Sequence, residues 1–169
     1  MGDIVLRDAT EADFARIVLT NAAEETQTSA MDASRLGELH ALSCHHRIAD
    51  LDGDAVAFLL AMDDRAAYDN ANFGWFSARL PHFFYIDRIV VDAAAAGLGI
   101  GRSLYADLFD HMRRCGIGHA VCEYNLEPPN PASAAFHRRQ GFHEIGRQSL
   151  SGGKFVSMQH LDLSKDIAQ

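Results

Sequence analysis

The feature that most constrains the fold lies between residues 86 and 104, where a β-branched run leads through a glycine-rich turn directly into an amphipathic helix. Gly97, Gly99 and Gly101 leave the backbone without side chains where this helix begins, so several N–H groups are unpaired and point the same way. Together with the positive end of the helix dipole, they suit an anion such as a pyrophosphate. The helix is predicted by apolar residues that recur along one face: Ile100, Leu104, Leu108, Phe109, Met112 and Cys115.

Two other phosphate-binding motifs fit this turn less well. The dinucleotide fingerprint needs glycine at its first, third and sixth positions; Gly97 and Gly99 fit, but Arg102 occupies the sixth. No Lys-Ser or Lys-Thr pair follows the glycines, which argues against a P-loop. A turn that uses its glycines only to bend tightly stays open as the alternative.

Length, composition and charge limit the class of protein. A chain of 169 residues with 48% apolar content is predicted to form a single domain, residues 1–169. No apolar run reaches the roughly 18 residues of a membrane span and the start lacks the regions of a signal peptide, so we predict a cytoplasmic protein with no membrane partner. The net charge of -8 argues against a nucleic-acid partner. Three cysteines without metal-ligand spacing predict reduced, largely buried thiols and no metal.

The other elements follow from local patterns. Thr10, with Asp13 three residues later, resembles a helix N-cap, and Asp52-Gly53 is a tight-turn signal. We read His45 and His46 as surface or strand residues. The long connection from Asp63 to Pro81 is predicted as a loop. The predicted strands are residues 4–6, 44–51, 55–62, 83–91, 121–125, 142–150 and 154–161. Four helices are predicted: one from Thr10 to about residue 23, one over residues 32–42, one after the glycine turn, and a short one after Asn130. Residues 164–169 are predicted as a tail.

Two blocks resemble the GNAT superfamily of N-acyltransferases. The segment Ala96-Gly-Leu-Gly-Ile-Gly101 is similar to the acyl-CoA signature Arg/Gln-x-x-Gly-x-Gly/Ala, and Asn130 opens a short helix that ends in Gly-Phe at Phe142. Ala96 departs from the pattern, since the superfamily usually has Arg or Gln there. The resemblance covers residues 4–161. It implies an α/β fold with a mixed, mostly antiparallel sheet of about six to seven strands, flanked by about four helices.

The resemblance also implies a site for acetyl-CoA as cosubstrate. The pantetheine arm would lie between strands 83–91 and 121–125, which diverge in the superfamily, and the main chain of the glycine turn would hold the pyrophosphate. The residues carried over as binding acetyl-CoA are Ile89, Val91, Gly97, Leu98, Gly99, Ile100, Gly101, Arg102, Asn130 and Phe136.

Two residues are candidates for catalysis. Asp87 lies on the strand where the superfamily often has a carboxylate, and we predict that it deprotonates the acceptor, directly or through water. A structural carboxylate held by Arg88 or by a nearby helix is the alternative. Counting from Asn130, His137 stands where the superfamily commonly has a tyrosine, so we predict that it protonates the departing thiolate; a solvated helix histidine is the alternative.

The acceptor side is less defined. Seven of the fifteen aromatic residues fall between positions 68 and 85, which predicts either a wall of the acceptor pocket, or a small satellite core or subunit contact. The candidate substrate contacts are Asn72, Trp75, Tyr85 and Glu123. The resemblance implies transfer of an acetyl group to the amine of a small molecule or peptide. Transfer to oxygen, and a non-catalytic CoA-binding sensor or partner module, are the alternatives; a homodimer stays open.

Overall fold

The computed structural model describes residues 2–25 and 27–167. Over these residues it contains seven strands and six α-helices, together with single 3-10 turns at Glu11–Asp13 and Ala93–Ala95. The elements in chain order are β1 (Ile4–Asp8), α1 (Phe14–Ala22), α2 (Ala33–Leu42), β2 (His45–Leu51), β3 (Asp54–Asp63), α3 (Ala71–Ser77), β4 (Phe83–Val91), α4 (Ile100–Cys115), β5 (His119–Glu127), α5 (Pro131–Arg139), β6 (His143–Ser149), β7 (Phe155–Asp162) and α6 (Ser164–Ile167).

The strands form one seven-stranded sheet in the order β1-β2-β3-β4-β5-β7-β6. The pairs β1–β2, β2–β3, β5–β7 and β7–β6 are antiparallel. The pair β4–β5 is parallel and runs from Phe83 opposite His119 to Tyr85 opposite Val121. The predicted mixed, mostly antiparallel sheet is therefore confirmed. The further divergence of β4 and β5 that the resemblance implies stays a prediction.

By its contacts the chain divides into two compact units. Unit 1 comprises residues 1–62 and 86–111, and unit 2 comprises residues 63–85 and 112–169, in each case over the described positions. The single domain expected over the whole chain stays a prediction.

Unit 1 is built from elements that the sequence marks clearly. The Thr10 N–H donates to Asp13 at 2.8 Å, and the Arg35 N–H donates to the Asp32 side chain at 2.8 Å, so both predicted helix starts are capped. Asp52 adopts a positive φ of 54° in the turn between β2 and β3, which confirms the predicted hairpin. The apolar residues with 1% exposure or less form the core: Ile17, Leu36, Leu39, Ile48, Ala49, Phe58, Leu59, Leu60, Ala61, Met62, Ile100, Leu104, Tyr105 and Leu108.

Unit 2 has an aromatic core. The Phe73 ring lies 5.6 Å from both the Phe83 and the Tyr85 ring, and Tyr68 lies 5.7 Å from Phe73. The predicted loop from Asp63 to Pro81 is wrong in its middle, because α3 forms there. Its N-terminus is capped by Asn70, whose side chain accepts hydrogen bonds from the N–H groups of Asn72 and Phe73, at 3.0 Å each.

Three smaller expectations are corrected. The predicted tail begins with α6, and positions 168 and 169 lie outside the described residues. The cysteines are not uniformly buried, because Cys115 is exposed at the end of α4 and Cys44 is half-buried, whereas Cys122 is buried. His45 and His46 belong to β2, as one of the two readings had it, but both side chains are buried rather than on the surface.

Burial changes the acid–base behaviour of these two histidines. It lowers the pKa of His45 to about 4, although the Asp107 carboxylate, 3.0 Å away, acts in the opposite direction. Burial also lowers the pKa of His46 to about 4, and the neighbouring His40 adds to this effect. The Nδ1 atoms of His40 and His46 are 2.8 Å apart, so the pair is bridged by a single proton. Both β2 rings are therefore neutral near pH 7.

The first prediction concerns acid stability. An unfolded histidine binds its proton near pH 6.5 and these folded ones near pH 4, so protonation favours the unfolded state and the free energy of unfolding falls as the pH drops from about 6.5 to 4. Urea unfolding between pH 7 and pH 4 measures the slope. We expect His46→Leu to reduce the change of unfolding free energy with pH by about 1.4 kcal/mol per pH unit, which is the contribution of one bound proton. His82→Gln, at an exposed side chain, is the control; equal slopes in the wild type and His46→Leu would contradict the prediction.

Candidate active site

The glycine turn in unit 1 has the backbone that the sequence predicts. Gly97 and Gly99 have φ values of 80° and 78°, a region that residues with a Cβ rarely adopt, and α4 begins directly after them. A Cβ placed on either glycine would meet nothing within 4 Å, so the turn is open on its side-chain side. Gly101 lies inside the first turn of α4 instead. Its role is therefore distinct from that of the two bend glycines.

The start of α4 fits a phosphate group. This helix has sixteen residues, and its first-turn N–H groups are those that a helix leaves without an internal partner. Leu98 and Arg102 are exposed beside the turn, whereas Ile100 is 1% exposed and anchors the helix in the core. Asp92 caps the preceding 3-10 turn and pairs with Arg16 at 2.8 Å. These contacts fix the segment that leads from β4 to the glycines. The residues present therefore suit the pyrophosphate of acetyl-CoA.

Residues of β4 alternate in exposure. As whole residues, Asp87, Ile89 and Val91 are only partly buried, whereas the residues between them are buried. The side chain of Asp87 is itself only 4% exposed. The predicted base and the two residues predicted to contact the pantetheine arm by main chain therefore share one strand face.

Asp87 is paired with its neighbour. Arg88 Nε donates to Asp87 Oδ2 at 2.8 Å, and the two side chains are only 7% and 4% exposed. Removing one member of a buried ion pair leaves an uncompensated charge, so this pair has a structural role of its own. The pairing with Arg88 that the alternative reading expected is present. The catalytic role of Asp87 stays a prediction.

In unit 2, Tyr85 and Glu123 form a second polar pair. The Tyr85 hydroxyl lies 2.9 Å from both carboxylate oxygens of Glu123, and its ring is 1% exposed within the aromatic core. Glu123 is partly exposed at the edge of this core. Two of the four residues predicted to contact substrate are thus brought together, with the phenol orienting the carboxylate.

His137 is buried, with 4% exposure, so it is not a solvated helix residue. Its Nδ1 lies 2.8 Å from the Ser133 carbonyl, which marks Nδ1 as the protonated nitrogen, since a carbonyl only accepts. Burial lowers the pKa of His137, which keeps the ring neutral at pH 7. Its ring is 5.4 Å from those of Phe136 and Phe142 and 6.0 Å from that of Tyr124. Its role as a general acid stays a prediction.

Asn130 and Phe136 belong to the same part of unit 2. The Asn130 side chain accepts from the Ser133 N–H at 3.2 Å, which confirms the predicted N-cap of α5, and the Asn130 N–H donates to Asn125 at 3.2 Å. Phe136 is partly exposed next to His137. Tyr124, whose ring lies beside that of His137, was not among the candidate residues predicted from the sequence. The alternation of side chains along β5 could have placed it on the side of the sheet that faces α5.

Asn72 and Trp75 attach α3 to β6 within unit 2. Asn72 is buried and accepts a hydrogen bond from Gln148 at 2.9 Å. The Trp75 ring packs against the backbone of Gly146, and the Arg79 guanidinium stacks on it at 3.8 Å. Both side chains therefore hold this helix in place, and their contact with substrate stays a prediction.

The second prediction tests this attachment. A Cβ on Gly146 would lie 2.5 Å from Trp75 Cζ2, so Gly146→Ala must displace the ring. We expect a loss of about 1–3 kcal/mol of unfolding free energy and a shift in the fluorescence of this single tryptophan. Gly74→Ala, in α3 with open space around its Cβ, is the matched control and should stabilise by about 0.5–1 kcal/mol. Unchanged fluorescence and stability of Gly146→Ala would contradict the packing.

Two features are absent from the described part of the chain. Between residues 2 and 167, with position 26 set aside, no group of three or more His, Cys, Asp or Glu side chains is arranged to hold a metal ion. Over the same positions, no helix is both long and apolar enough to cross a membrane.

Comparison with known proteins decides the family. The model of the Acetyltransferase (GNAT) family matches residues 8–142. The chain belongs to the GNAT acetyltransferase family. The resemblance read from the glycine turn and the Asn130 block is thereby confirmed, and both blocks fall within the matched residues.

Individual relatives agree with this assignment. A phosphinothricin N-acetyltransferase from Streptomyces coelicolor is 39% identical to the GNAT chain over 67 residues, which span 40% of this chain but only 38% of that protein. The protein yncA from Salmonella typhimurium, solved with its cofactor acetyl-CoA, has a TM-score of 0.72 at 20% identity, covering 95% of this chain and 94% of that one. A ribosomal-protein-alanine N-acetyltransferase from Brucella melitensis has a TM-score of 0.69 at 22% identity, covering 94% and 99%. The two structures share the fold.

Proposed function

We propose that this GNAT protein transfers the acetyl group of acetyl-CoA to the amine of a small molecule or peptide. The observation that carries the proposal is the glycine turn: Gly97 and Gly99 adopt conformations that favour glycine and leave the N-terminus of a sixteen-residue helix open. Family membership adds the reaction class. Acetyl-CoA supplies an activated thioester when bound, and the protein must supply orientation and proton transfers.

Main-chain groups bind the cosubstrate in this proposal. The N–H groups from Gly97 to Arg102 hold the pyrophosphate, and the exposed Arg102 side chain adds positive charge where Ala96 contributes none. Ile89 and Val91 pair with the pantetheine arm through their backbone. Asn130 and Phe136 contact it from α5.

Asp87 removes the proton that an acceptor amine must lose, directly or through one water. Glu123 is the second carboxylate, and because Tyr85 orients it at the edge of an aromatic core, it suits the ammonium form of the acceptor before deprotonation. In this proposal α3 forms a wall of the acceptor pocket, and Asn72 and Trp75 hold this helix in place.

His137 returns a proton to the departing thiolate. The Nδ1 proton of the neutral ring stays on the Ser133 carbonyl, so the proton that His137 gives up is a second one, taken up at Nε2 through water after the acceptor amine has released it. The Tyr124 phenol beside the ring is a second donor in the same cluster. Comparing His137→Phe with Tyr124→Phe assigns the role, since the loss of a placed acid lowers turnover by about a hundredfold or more.

Two relatives indicate the acceptors to test. One carries the name of a small amine, phosphinothricin, and the other acts on a protein alanine according to its name. We propose a cytoplasmic enzyme that acts on such amines, as a monomer or homodimer, without a nucleic-acid or membrane partner. Acetyl transfer to oxygen and a non-catalytic CoA-binding module are the competing functions.

The deciding experiment incubates the purified protein with acetyl-CoA and three acceptors: phosphinothricin, a peptide with N-terminal alanine, and the same peptide with a blocked N-terminus and a free serine hydroxyl. Products are identified by mass spectrometry rather than with a thiol reagent, because the exposed Cys115 would react with the reagent. N-acetylated product supports the proposal. Product only on the hydroxyl favours O-acyl transfer, and binding of acetyl-CoA without turnover favours the sensor module.

A further inference from the structure

The Arg88 side chain makes more contacts than its ion pair with Asp87. Its guanidinium is buried in unit 1, with the residue 8% exposed. Besides the Nε contact to Asp87, its Nη1 donates to the Asn21 side-chain oxygen at 3.0 Å and to the Ser29 carbonyl at 3.1 Å. A charged group on β4 is thus bonded to the end of α1 and to the segment that follows it.

Asn21 is fixed from both ends of its amide. It is 1% exposed, its Nδ2 donates to the Ser29 carbonyl at 3.0 Å, and its Oδ1 accepts from Arg88 and from the Thr28 hydroxyl at 3.3 Å. These partners determine which way the amide is oriented. The oxygen that faces Arg88 therefore has a defined position.

This geometry bears on Asp87. Neighbouring residues of a strand point to opposite faces, so an Arg–Asp pair at adjacent positions does not form from strand geometry alone. The guanidinium is a rigid planar fork, so fixing Nη1 on two acceptors also fixes the direction of the Nε–H bond toward Asp87.

We infer that Arg88 and Asn21 are positioning residues, which act through the Arg88 guanidinium to orient the Asp87 carboxylate for proton removal. The inference rests on the proposed function for its catalytic part. It assigns a functional reason to a buried asparagine 67 positions away from Arg88 in sequence.

The test compares Asn21→Ala and Arg88→Lys with the wild type. Lysine retains the charge of Arg88 but not the fork, and alanine removes the acceptor that fixes Nη1. We expect each variant to lower kcat for the best amine of the panel by about ten- to a hundredfold, the effect of a small misplacement of a reacting group, with KM for acetyl-CoA changed less than twofold. Arg7→Lys is the matched control, because the Arg7 guanidinium is likewise held by side chains of two other residues, Asp13 and Asp50; the kcat of this variant should stay within twofold.

A second readout does not depend on activity. The Nε–H resonance of Arg88, followed by NMR, should shift and exchange faster with water in Asn21→Ala, whereas that of Arg7 should not. An unchanged resonance, or a kcat that falls only in step with the folded fraction, overturns the inference. Asn21→Ser replaces alanine if the latter does not fold. If the wild type binds acetyl-CoA and acetylates no amine, the proposed function fails, and the NMR signal alone decides whether Asn21 positions Arg88.

Discussion

Asp87→Asn is expected to lower kcat by a hundredfold or more while the protein stays folded. The substitution keeps the shape of the side chain and an acceptor for the Arg88 Nε–H but removes the carboxylate that takes a proton, and general-base catalysis typically contributes about 10²–10⁴-fold. The variant also leaves the buried Arg88 without its counter-charge, so we expect a loss of up to about 3 kcal/mol in unfolding free energy. Steady-state kinetics with the best amine and urea unfolding measure the two effects separately.

Asp107→Asn is the control for this experiment. Asp107 is also an ion-paired carboxylate of unit 1, bonded to Arg47 and His45, but it belongs to α4. Its replacement should lower stability and leave kcat within about twofold. A folded Asp87→Asn protein with the turnover of the wild type would instead assign Asp87 to structure alone, and Glu123→Gln would then be the next variant to assay as the base.

Gly99→Ala should weaken acetyl-CoA binding by about ten- to a hundredfold. The backbone at residue 99 has a φ of 78°, which costs a residue with a Cβ roughly 1–2 kcal/mol. The same Cβ would project on the open side of the turn, where backbone N–H groups are available to a phosphate. The first effect lowers the stability of the folded protein, and the second opposes the phosphate in the bound state. Isothermal titration with acetyl-CoA measures the affinity.

Gly116→Ala separates these two effects. Gly116 ends α4 with a φ of 70°, and a Cβ there also meets nothing within 4 Å. It therefore carries the same backbone cost without lying at the helix N-terminus. Both variants should lose similar stability, but only Gly99→Ala should lose affinity. Equal affinity in the two variants would exclude the glycine turn as the acetyl-CoA site.

Much of the fold could be predicted from short-range patterns. The central strand at residues 83–91 was predicted with its observed bounds, because its β-branched and aromatic residues form one continuous run. The caps at Thr10 and Asn130 were predicted because an N-cap depends on contacts between a side chain and the backbone two or three residues away. The glycine turn belongs to the same class of signal.

The helix α3 could not be predicted in this way. Its seven residues include a glycine and three aromatic residues of modest helix propensity, so the local sequence is not typical of a helix. What holds it is distant in sequence: Gln148 bonds Asn72 across 76 positions, and Gly146 receives the Trp75 ring. Short helices are stabilised mainly by such tertiary packing.

The sequence by itself determined the order of the elements, the turn that suits a pyrophosphate and the family, because each depends on backbone preferences within a few residues. Only the tertiary structure decided the surroundings of the candidate catalytic groups. His137 is buried among aromatic rings although the other residues of its helix are at least partly exposed, and Glu123, a partner of Tyr85, lies 38 positions away. The carboxylate of Asp87 is held by an arginine that is itself held by Asn21. Such contacts join residues that no local pattern relates, because they form only when separate elements pack and must satisfy buried polar groups together.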